Sequence, residues 1–393
     1  MDKIKIYNGR VITPYRTIKT GCILVENGKI MEVSDSFIKT EDYYEVDAVG
    51  SYIAPGFIDI HSHGGGGHDF MDGTVEAYIG ASEAHAAHGT TAIVPTTLTS
   101  TIEELKNTFS VYKEAKLKNN KGAQFLGLHL EGPYFAMSQK GAQDPRYIKN
   151  PDPKEYEEIL SWSDDIIRWS AAPELEGALE FAIKLKNKGI LPSIAHTDAI
   201  FEDVEKAFEC GFTHVTHLYS AMSTVRRINA YRYAGVIEAA FLNDGMTVEI
   251  IADGVHLPAS LLKLIYKIKG ADNIALVTDS MRAAAMPEGE SILGSLKDGQ
   301  KVIVEDGVAK LIDRSAFAGS VATADRLVRN MINLAEVSLI DAVKMATIVP
   351  ARIIGVDKQK GSIVQGKDAD IIIFDEDINI ERTIIGGNIV YSK

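Results

Sequence analysis

Residues 53–63 read IAPGFIDIHSH, an apolar run rich in β-branched side chains that ends in two histidines. Seven more runs of this kind follow, separated by segments with helical patterns. They are TAIVPTTLT (91–99), FLGLHLEGP (125–133), IIRWSAAPE (166–174), GILPSIAHTDA (189–199), THVTHLYSAM (213–222), MTVEIIADGVH (246–256) and IALVTDSM (274–281). Alternation of strands and helices favours parallel βα units. Eight strands in series predict an α/β fold, a closed (β/α)8 barrel of the TIM type.

A doubly wound open sheet is the alternative architecture for this alternation. That fold carries a glycine-rich phosphate-binding turn after its first strand. Four glycines at 64–67 do follow the first run, but they come after His61 and His63 and lack the G-x-G-x-x-G spacing. The barrel is therefore the favoured prediction.

The two ends of the chain have a different pattern, in which short β-like runs alternate with glycine turns. Asn8-Gly9 and Asn27-Gly28 are strong hairpin signals in the first segment. We therefore predict a small β-sandwich domain built from both termini, residues 1–53 plus 356–393, beside a barrel domain at 54–355. Residues 287–319 interrupt the alternation after the eighth run and predict a hairpin-like insert.

Composition excludes several classes of function. The 393 residues include 41 basic and 54 acidic side chains, a net charge of −13, which argues against nonspecific binding to nucleic acid. The two cysteines, Cys22 and Cys210, have no metal-binding or redox spacing. The sequence has neither a long uncharged apolar run nor a signal-peptide pattern, so we expect no membrane span and a cytoplasmic location.

Polar residues stand at the C-terminal ends of the predicted strands. They are His61, His63, Glu131, His196, His217, Asp253, His256 and Asp279. In a (β/α)8 barrel these strand ends form one face, so the side chains are expected to converge there. His61 and His63 are two residues apart on a strand and therefore point to the same side.

This set of side chains predicts a metal-dependent enzyme. Imidazole and carboxylate ligands suit Zn²⁺, Fe²⁺ or Mn²⁺. Glu131, a carboxylate inside an apolar strand, needs a partner or a metal, and Asp279 is placed to move protons or to bind a second ion. His214, three residues before His217, is expected to point away from the site toward the helices. His85 and His88 are expected to be packing or surface residues of a helix.

Longer motifs carry a resemblance to a known family. They are PGFIDIHSHG (55–64), HGTTAIVPT (88–96), LHLEGPY (128–134), IAHTDA (194–199), THVTHLYSAM (213–222), IADGVHL (251–257), LVTDSM (276–281) and FAGS (317–320). Over nearly its whole length the chain resembles the amidohydrolase superfamily and, within it, the N-acetylglucosamine-6-phosphate deacetylases. The resemblance implies hydrolysis of an N-acetyl amino sugar phosphate to acetate and the free amine.

The resemblance also implies residue roles. Glu131, His196 and His217 are similar to a principal metal site, and His61 and His63, with Glu131 and Asp279, are similar to a second site. One or two divalent ions per subunit, Zn²⁺ or Fe²⁺, are implied. Asp279 is similar to the general base and acid, and His256 to a substrate-contacting histidine. A homodimer is likewise implied.

Three departures from the family pattern fall among the residues expected to contact substrate. Gln143 stands where the family has a histidine that polarises the acetyl carbonyl, and its amide still offers a hydrogen bond. Ser220, before Ala221, replaces an asparagine that contacts phosphate. Arg227 is the nearest candidate for a phosphate-binding arginine that the family sometimes supplies across a subunit interface.

These departures leave other functions open. One alternative is deacetylation of an unphosphorylated or epimeric amino sugar. A cyclic-amide hydrolase is another, although such enzymes usually bridge two metals with a carboxylated lysine, and here Glu131 takes that position. A metal-free scaffold is the non-enzymatic alternative, which would require that ligands be lost, and none is lost.

Overall fold

The computed structural model describes residues 3–393, which form 24 strands. The strands are β1 (Lys3–Ile12), β2 (Thr17–Glu26), β3 (Lys29–Ser34), β4 (Tyr44–Asp47), β5 (Tyr52–Pro55), β6 (Phe57–Ser62), β7 (Gly64–Gly65), β8 (His68–Asp69), β9 (Thr90–Pro95), β10 (Gln124–Phe125), β11 (Leu128–Glu131), β12 (Ile166–Ala171), β13 (Leu191–Ile194), β14 (His214–Val215), β15 (Arg226–Ile228), β16 (Tyr231–Tyr233), β17 (Thr247–Ile250), β18 (Ile274–Leu276), β19 (Gly289–Leu293), β20 (Gln300–Glu305), β21 (Val308–Leu311), β22 (Ile371–Phe374), β23 (Ile380–Ile385) and β24 (Asn388–Ser392).

Ten α-helices lie between these strands within the described range. The helices are α1 (Val75–Ala87), α2 (Ile102–Lys118), α3 (Pro153–Trp162), α4 (Ala178–Asn187), α5 (Phe201–Cys210), α6 (Val236–Leu242), α7 (Ala259–Lys269), α8 (Ala324–Asn333), α9 (Leu339–Met345) and α10 (Ile348–Ile353). Three 3-10 turns add to them at Phe70–Asp72, Met137–Gln139 and Ala271–Asn273.

Parallel strands form the central part of the fold. One sheet has the order β10-β9-β6, and a six-stranded sheet has the order β11-β12-β13-β14-β17-β18. Isolated parallel bridges join the edges of the two sheets, Thr96 with His129 and Ser62 with Ser280. Each of the eight apolar runs contains a strand of these sheets, so the mixed α/β architecture with a curled parallel sheet is confirmed.

Helices pack around the parallel sheets because their apolar sides and the sheet share one buried cluster that includes Trp169, Phe181 and Val248. The helix boundaries follow local signals. Thr101 and Glu104 form a capping box at the start of α2. Gly211, with φ 120°, follows α5 as the sequence predicts for a helix stop.

Strands from both ends of the chain meet in one sheet of the order β24-β23-β22-β5-β1-β2-β3, with β4 paired to β1. Asn27-Gly28 makes the predicted two-residue turn between β2 and β3. The prediction of a hairpin turn at Asn8-Gly9 is wrong. These residues lie inside β1 as a bulge, where Asn8 has φ 58° and the pairing with β2 shifts register.

The predicted insert is present as a three-stranded antiparallel sheet of β19, β20 and β21. Arg282 fixes one end of it, because its guanidinium donates to the Gly294 carbonyl and to the Asp72 carboxylate. Among residues 3–393, none of the helices has both the length and the apolar character that crossing a membrane requires.

Candidate metal centre

Two groups of buried side chains have the spacing of metal ligands. His61, His63 and Asp279 form the first group, and Glu131, His196 and His217 form the second. Within each group the ligand atoms lie within 4.8 Å of one another. The predicted ligands thus converge at the ends of strands that are far apart in sequence.

Glu131 links the two groups. Its Oε1 lies 3.1 Å from His217 Nε2 and 3.4 Å from His196 Nε2. Its Oε2 lies 3.3 Å from His63 Nε2, which is also 3.2 Å from Asp279. Oε1 also lies 3.6 Å from His61 Nε2, so the Glu131 carboxylate contacts both groups.

Three of the four histidines are held at Nδ1, so that Nε2 faces the carboxylates. His63 Nδ1 donates to the Thr96 carbonyl at 3.2 Å, and His196 Nδ1 donates to the Gln139 carbonyl at 2.8 Å. A carbonyl only accepts, so Nδ1 carries a proton in both rings and Nε2 is the nitrogen that can bind a metal ion. Such hydrogen bonds orient metal-binding histidines and fix their tautomer.

Left-handed backbone brings several of these side chains into the site. His196, His217 and Asp279 have φ values of 46°, 29° and 44°. Non-glycine residues rarely adopt this region, and such strain concentrates at functional sites. Side chains alternate between the two faces of a strand only where the backbone is extended. Because His217 is not extended, the direction of its side chain does not predict the direction of the His214 side chain. The expectation that His214 faces the helices is wrong, because its Nε2 lies 3.3 Å from the buried Glu249 carboxylate.

The electrostatics of the site favour bound cations. Burial raises the pKa of Glu131, but His61, His196 and His217 outweigh burial and hold it well below its ordinary value. Burial lowers the pKa of His63, yet hydrogen bonds that its ring donates to the Asp279 and Glu131 carboxylates raise it to about 9. The carboxylates thus stay ionised and attract positive charge, which a proton or a metal ion supplies.

The donor set fits a divalent metal. In the described part of the chain, His61 Nε2 and His217 Nδ1 are buried without a hydrogen-bond partner. His61 Nε2 lies 3.4 Å from Asp279 and 3.6 Å from Glu131. An unpartnered buried nitrogen is costly unless it binds a ligand, and nitrogen and carboxylate ligands suit Zn²⁺ or Fe²⁺.

A cavity of about 590 Å³ opens above these groups, a size that suits a small-molecule ligand. Its wall includes four of the residues predicted to contact substrate: Gln143, Ser220, Ala221 and His256. Asp253 accepts from His256 Nδ1 at 2.7 Å and so orients the ring. Phe317 packs on the same ring, with centroids 4.6 Å apart.

Gln143 is tied directly to the metal-ligand groups. Its Nε2 donates to Glu131 Oε2 at 2.8 Å, and its Oε1 accepts from the Thr99 backbone N–H at 2.9 Å. One of its two amide hydrogens is used by Glu131, which leaves the other for a substrate.

Arg227 lies apart from the other predicted residues. It is exposed on the hairpin of β15 and β16 and, among the residues described, does not belong to the cavity wall. Its partner across the hairpin is Arg232. Like charges directly opposite each other are unfavourable in a ribbon unless an anion lies between them.

Two buried charged residues of the site were not predicted from the sequence. Glu249 lies on β17 and Arg168 on β12, and both are fully buried. Glu249 Oε1 accepts from His61 Nδ1 at 2.6 Å, and its Oε2 accepts from Arg168 at 2.5 Å. The sequence signal that could have identified Glu249 is the one used for Glu131: Glu249 is an acid inside an apolar strand, in MTVEIIADGVH (246–256).

His85 was expected to be a packing or surface residue, and it packs in the interior. Its Nε2 lies 3.0 Å from the Gly64 carbonyl and 3.1 Å from the Ser280 hydroxyl, beside Asp279. His88 stays half-exposed and pairs with Asp325.

Known proteins are similar to this chain in sequence and in fold. The family model described as "Amidohydrolase family" matches residues 52–390. The N-acetylglucosamine-6-phosphate deacetylase of Bacillus subtilis (strain 168) is 34% identical over 395 residues, which is 99% of this chain and 98% of the relative. The N-acetylgalactosamine-6-phosphate deacetylase of Escherichia coli O157:H7 is 31% identical and is matched over 86% of this chain and 87% of its own length.

A solved structure matches over the full length of both chains. It is a variant of the Mycobacterium smegmatis N-acetyl-D-glucosamine-6-phosphate deacetylase in complex with N-acetyl-D-glucosamine-6-phosphate, with a TM-score of 0.91 and 27% identity, and 100% of each chain is covered. These matches agree with the motifs and with the strand-end ligands. The chain is therefore a member of the amidohydrolase family and, within it, of the N-acetylglucosamine-6-phosphate deacetylases.

Proposed function

We propose that this protein is a metal-dependent deacetylase that hydrolyses N-acetylglucosamine 6-phosphate to glucosamine 6-phosphate and acetate. The observation that carries the proposal is the pair of metal-ligand groups joined by Glu131 at the floor of a cavity of about 590 Å³. The names of the Bacillus subtilis relative and of the Mycobacterium smegmatis structure support the same substrate.

The ligand roles follow the two groups. Glu131, His196 and His217 would hold one divalent ion, Zn²⁺ or Fe²⁺, and His61, His63 and Asp279 would hold a second with Glu131 between them. A bound ion supplies Lewis-acid polarisation of the acetyl carbonyl and makes water easier to deprotonate near neutral pH. One or two ions per subunit are consistent with this arrangement.

Asp279 is the proposed general base and general acid. Its pKa is lowered, because burial, which raises it, is outweighed by His61 and His63. An ionised carboxylate at the cavity floor takes a proton from the attacking water and later protonates the leaving amine. Acetate and the amino sugar are then released.

Two cavity residues are proposed to bind the acetyl group and the sugar. Gln143 keeps one amide hydrogen that is not used by Glu131, and we assign it to the carbonyl oxygen, where negative charge develops. His256, oriented by Asp253, would contact the substrate beside Phe317. Ser220 and Ala221 form the adjoining wall.

The phosphate is assigned to the hairpin of β15 and β16. Arg227 and Arg232 face each other there, and an anion would relieve their repulsion. The hairpin is exposed, which suits a contact made to the cavity of a partner subunit in the homodimer that the family resemblance implies. A cytoplasmic location completes the proposal.

We also propose that the parallel strands close into a (β/α)8 barrel at 54–355 and that residues 1–53 and 356–393 form a separate β-sandwich domain. Residues 1 and 2 of the predicted domain lie outside the described residues. The bridge between Ser62 and Ser280 supports closure. A second apolar cluster, which includes Ile6, Ile53 and Ile373, supports a separate core for the terminal strands.

The test is acetate release by the metal-loaded protein from N-acetylglucosamine 6-phosphate, N-acetylgalactosamine 6-phosphate and unphosphorylated N-acetylglucosamine, assayed side by side. Preference for the first substrate is the expected result. Preference for the second would move the assignment to the epimer, which the Escherichia coli relative favours. Preference for the third would remove the phosphate from the proposal, and release from none would refute it.

A further inference from the structure

Glu249 has no role in the proposed reaction, yet it lies directly behind the metal-ligand groups. The side chain is fully buried on β17, and it is not part of the cavity wall among the described residues. Its pKa is held well below the ordinary value, since Arg168, His61 and His214 outweigh the effect of burial. A charged group in this position requires a reason, because an unpaired buried charge is costly.

One oxygen of Glu249 contacts a ligand of each metal group. Oε1 accepts from His61 Nδ1 at 2.6 Å. The same Oε1 accepts from the backbone N–H of His217 at 3.1 Å. His61 belongs to the first group and His217 to the second.

The contact with His61 decides which nitrogen of that ring faces the site. With Nδ1 donating to an ionised carboxylate, Nε2 is the nitrogen that can bind a metal ion, and it points toward Glu131 and Asp279. Carboxylate–histidine pairs of this kind orient a metal ligand and raise its basicity.

The contact with His217 holds a strained residue. His217 has φ 29°, which turns its side chain out of the strand alternation and brings Nε2 to 3.1 Å from Glu131. The hydrogen bond that its backbone N–H donates to Glu249 offsets part of the cost of that conformation. Without Glu249, this N–H would be a buried donor with no acceptor.

Arg168 fixes the other end of Glu249. Its guanidinium donates to Glu249 Oε2 at 2.5 Å, to the Thr216 hydroxyl at 2.8 Å and to the Ile60 carbonyl at 3.2 Å. Both side chains have 0% exposure. Ile60 and Thr216 directly precede His61 and His217 in the chain, so Arg168 ties the Glu249 carboxylate to both backbone segments and restricts its movement.

We propose that the buried Arg168–Glu249 pair is a shared positioning device that couples the two metal-ligand groups, so that metal affinity at both depends on this one carboxylate. The inference rests on the metal sites of the proposed function, and it is independent of which sugar is the substrate.

The experiment is a Co²⁺ titration of metal-free Glu249→Gln and of metal-free wild type, in competition with a chelating dye and followed by the visible absorption of bound Co²⁺. We expect the affinity for each bound equivalent to fall by roughly 10- to 100-fold, the usual effect of losing a partner behind a metal ligand. The Co²⁺ spectrum should change for both equivalents. His61→Gln provides the reference for a defect in the first group alone.

Two further variants separate positioning from general damage. Asp370, which directly precedes β22, forms another buried ion pair, with Lys360 at 2.6 Å. Asp370→Asn disrupts this pair and should leave Co²⁺ affinity and spectrum unchanged. Glu249→Gln leaves Arg168 as an uncompensated buried charge, which can prevent folding. The double variant Arg168→Met/Glu249→Gln removes both charges and should fold with weakened affinity at both groups.

A loss of affinity confined to the equivalent that His61→Gln also affects would overturn the coupling. Unchanged affinity and spectrum in the folded double variant would overturn the positioning role altogether. No sugar is present in this titration, so its result does not depend on the substrate. A wild-type protein that binds Co²⁺ in the titration but releases no acetate in the separate substrate assay refutes the proposed function and leaves the inference standing.

Discussion

Asp279 carries the proposed proton transfers. Asp279→Asn should reduce kcat by roughly 10²- to 10⁴-fold, because an amide cannot accept the proton of the attacking water. The group of Glu131, His196 and His217 is intact in this variant, so the protein should still bind metal. Acetate release together with metal analysis measures both properties.

Asp341→Asn is the matched control, since that carboxylate accepts from the Tyr266 hydroxyl at 2.8 Å and lies outside the candidate site. Its turnover should equal that of wild type. If Asp279→Asn kept nearly full activity, another group would be the base.

Asp69 makes folding stability depend on pH, because burial raises its pKa to about 6 from the ordinary 3.8. A carboxyl with a raised folded-state pKa stabilises the fold below its unfolded pKa, and this contribution is lost as pH rises through about 6. The change amounts to about 3 kcal/mol. Asp69→Asn removes the titration and keeps an oxygen for the Met71 N–H.

The free energy of unfolding of Asp69→Asn, relative to wild type, should therefore rise by about 3 kcal/mol between about pH 4 and pH 7. Urea unfolding of both metal-loaded proteins at several pH values gives this difference. A difference that is constant over the range would contradict the raised pKa.

Single residues were predictable where the chemistry shows in the sequence. His61, His63 and Asp279 stand at strand ends, and the structure brings them together. Glu249 shares with Glu131 the signal of an acid inside an apolar strand, but the sequence does not give its partners. Its contacts with His61 and Arg168 depend on which strands are neighbours across the sheet, and the pattern along one strand does not contain that information.

At the scale of elements, the hairpin of β15 and β16 tests the phosphate assignment. Arg227→Ala and Arg232→Ala should each raise KM for the phosphorylated sugar by roughly 10- to 100-fold, the value of a charge-assisted hydrogen bond. KM for the unphosphorylated sugar should not change. Acetate assays over a range of each substrate give both constants.

Arg16, an exposed arginine in the connection between β1 and β2, provides the control: Arg16→Ala should match wild type with both sugars. Equal losses with the two sugars would assign the hairpin a structural role in place of a phosphate contact.

Two Asn-Gly pairs show where local signals stop being sufficient. Asn27-Gly28 turns the chain, whereas Asn8-Gly9 lies within β1. A Cβ on Gly9 would come within 2.6 Å of Ile53 Cδ1, so this glycine is required for close packing against β5. The same dipeptide thus serves a tertiary contact that the sequence pattern does not reveal.

For the whole molecule, metal removal is the informative perturbation. Metal that binds only the folded state should add about 4 kcal/mol of stability at a concentration 1,000 times its Kd. The chelated protein should therefore unfold at a lower denaturant concentration, and Zn²⁺ should restore the midpoint. Ca²⁺ should not restore it, since it prefers six to eight oxygen ligands.

A His196→Ala/His217→Ala variant provides the comparison, because it lacks two ligands of the second group. The effect of the chelator on its midpoint should be much smaller. Identical unfolding of loaded and chelated wild type would mean that these residues hold no metal in the folded state.

The α/β architecture was predictable because eight β-branched runs alternate with helical segments, and each run contains a strand. The course of the backbone at the strand ends was not predictable. The left-handed φ of His217 breaks the alternation of side chains along the strand, so the prediction of the side-chain direction of His214, which assumed that alternation, was wrong. Strain of this kind is imposed by the assembled site and leaves no local signature.

The pairing of β5 with β22 affects how the chain folds while it is being synthesised. Pro55 lies opposite Ile371, so the strand that precedes β6 and His61 has no partner on that edge until Ile371 has been synthesised and has left the ribosome. At roughly 5–20 residues per second, this interval lasts tens of seconds. During this interval the unpaired edge of β5 can pair with other chains and aggregate. Slower elongation would lengthen the interval, whereas chaperones that bind nascent chains would cover the edge. Such chaperones should therefore increase the yield of folded protein more than slower elongation does.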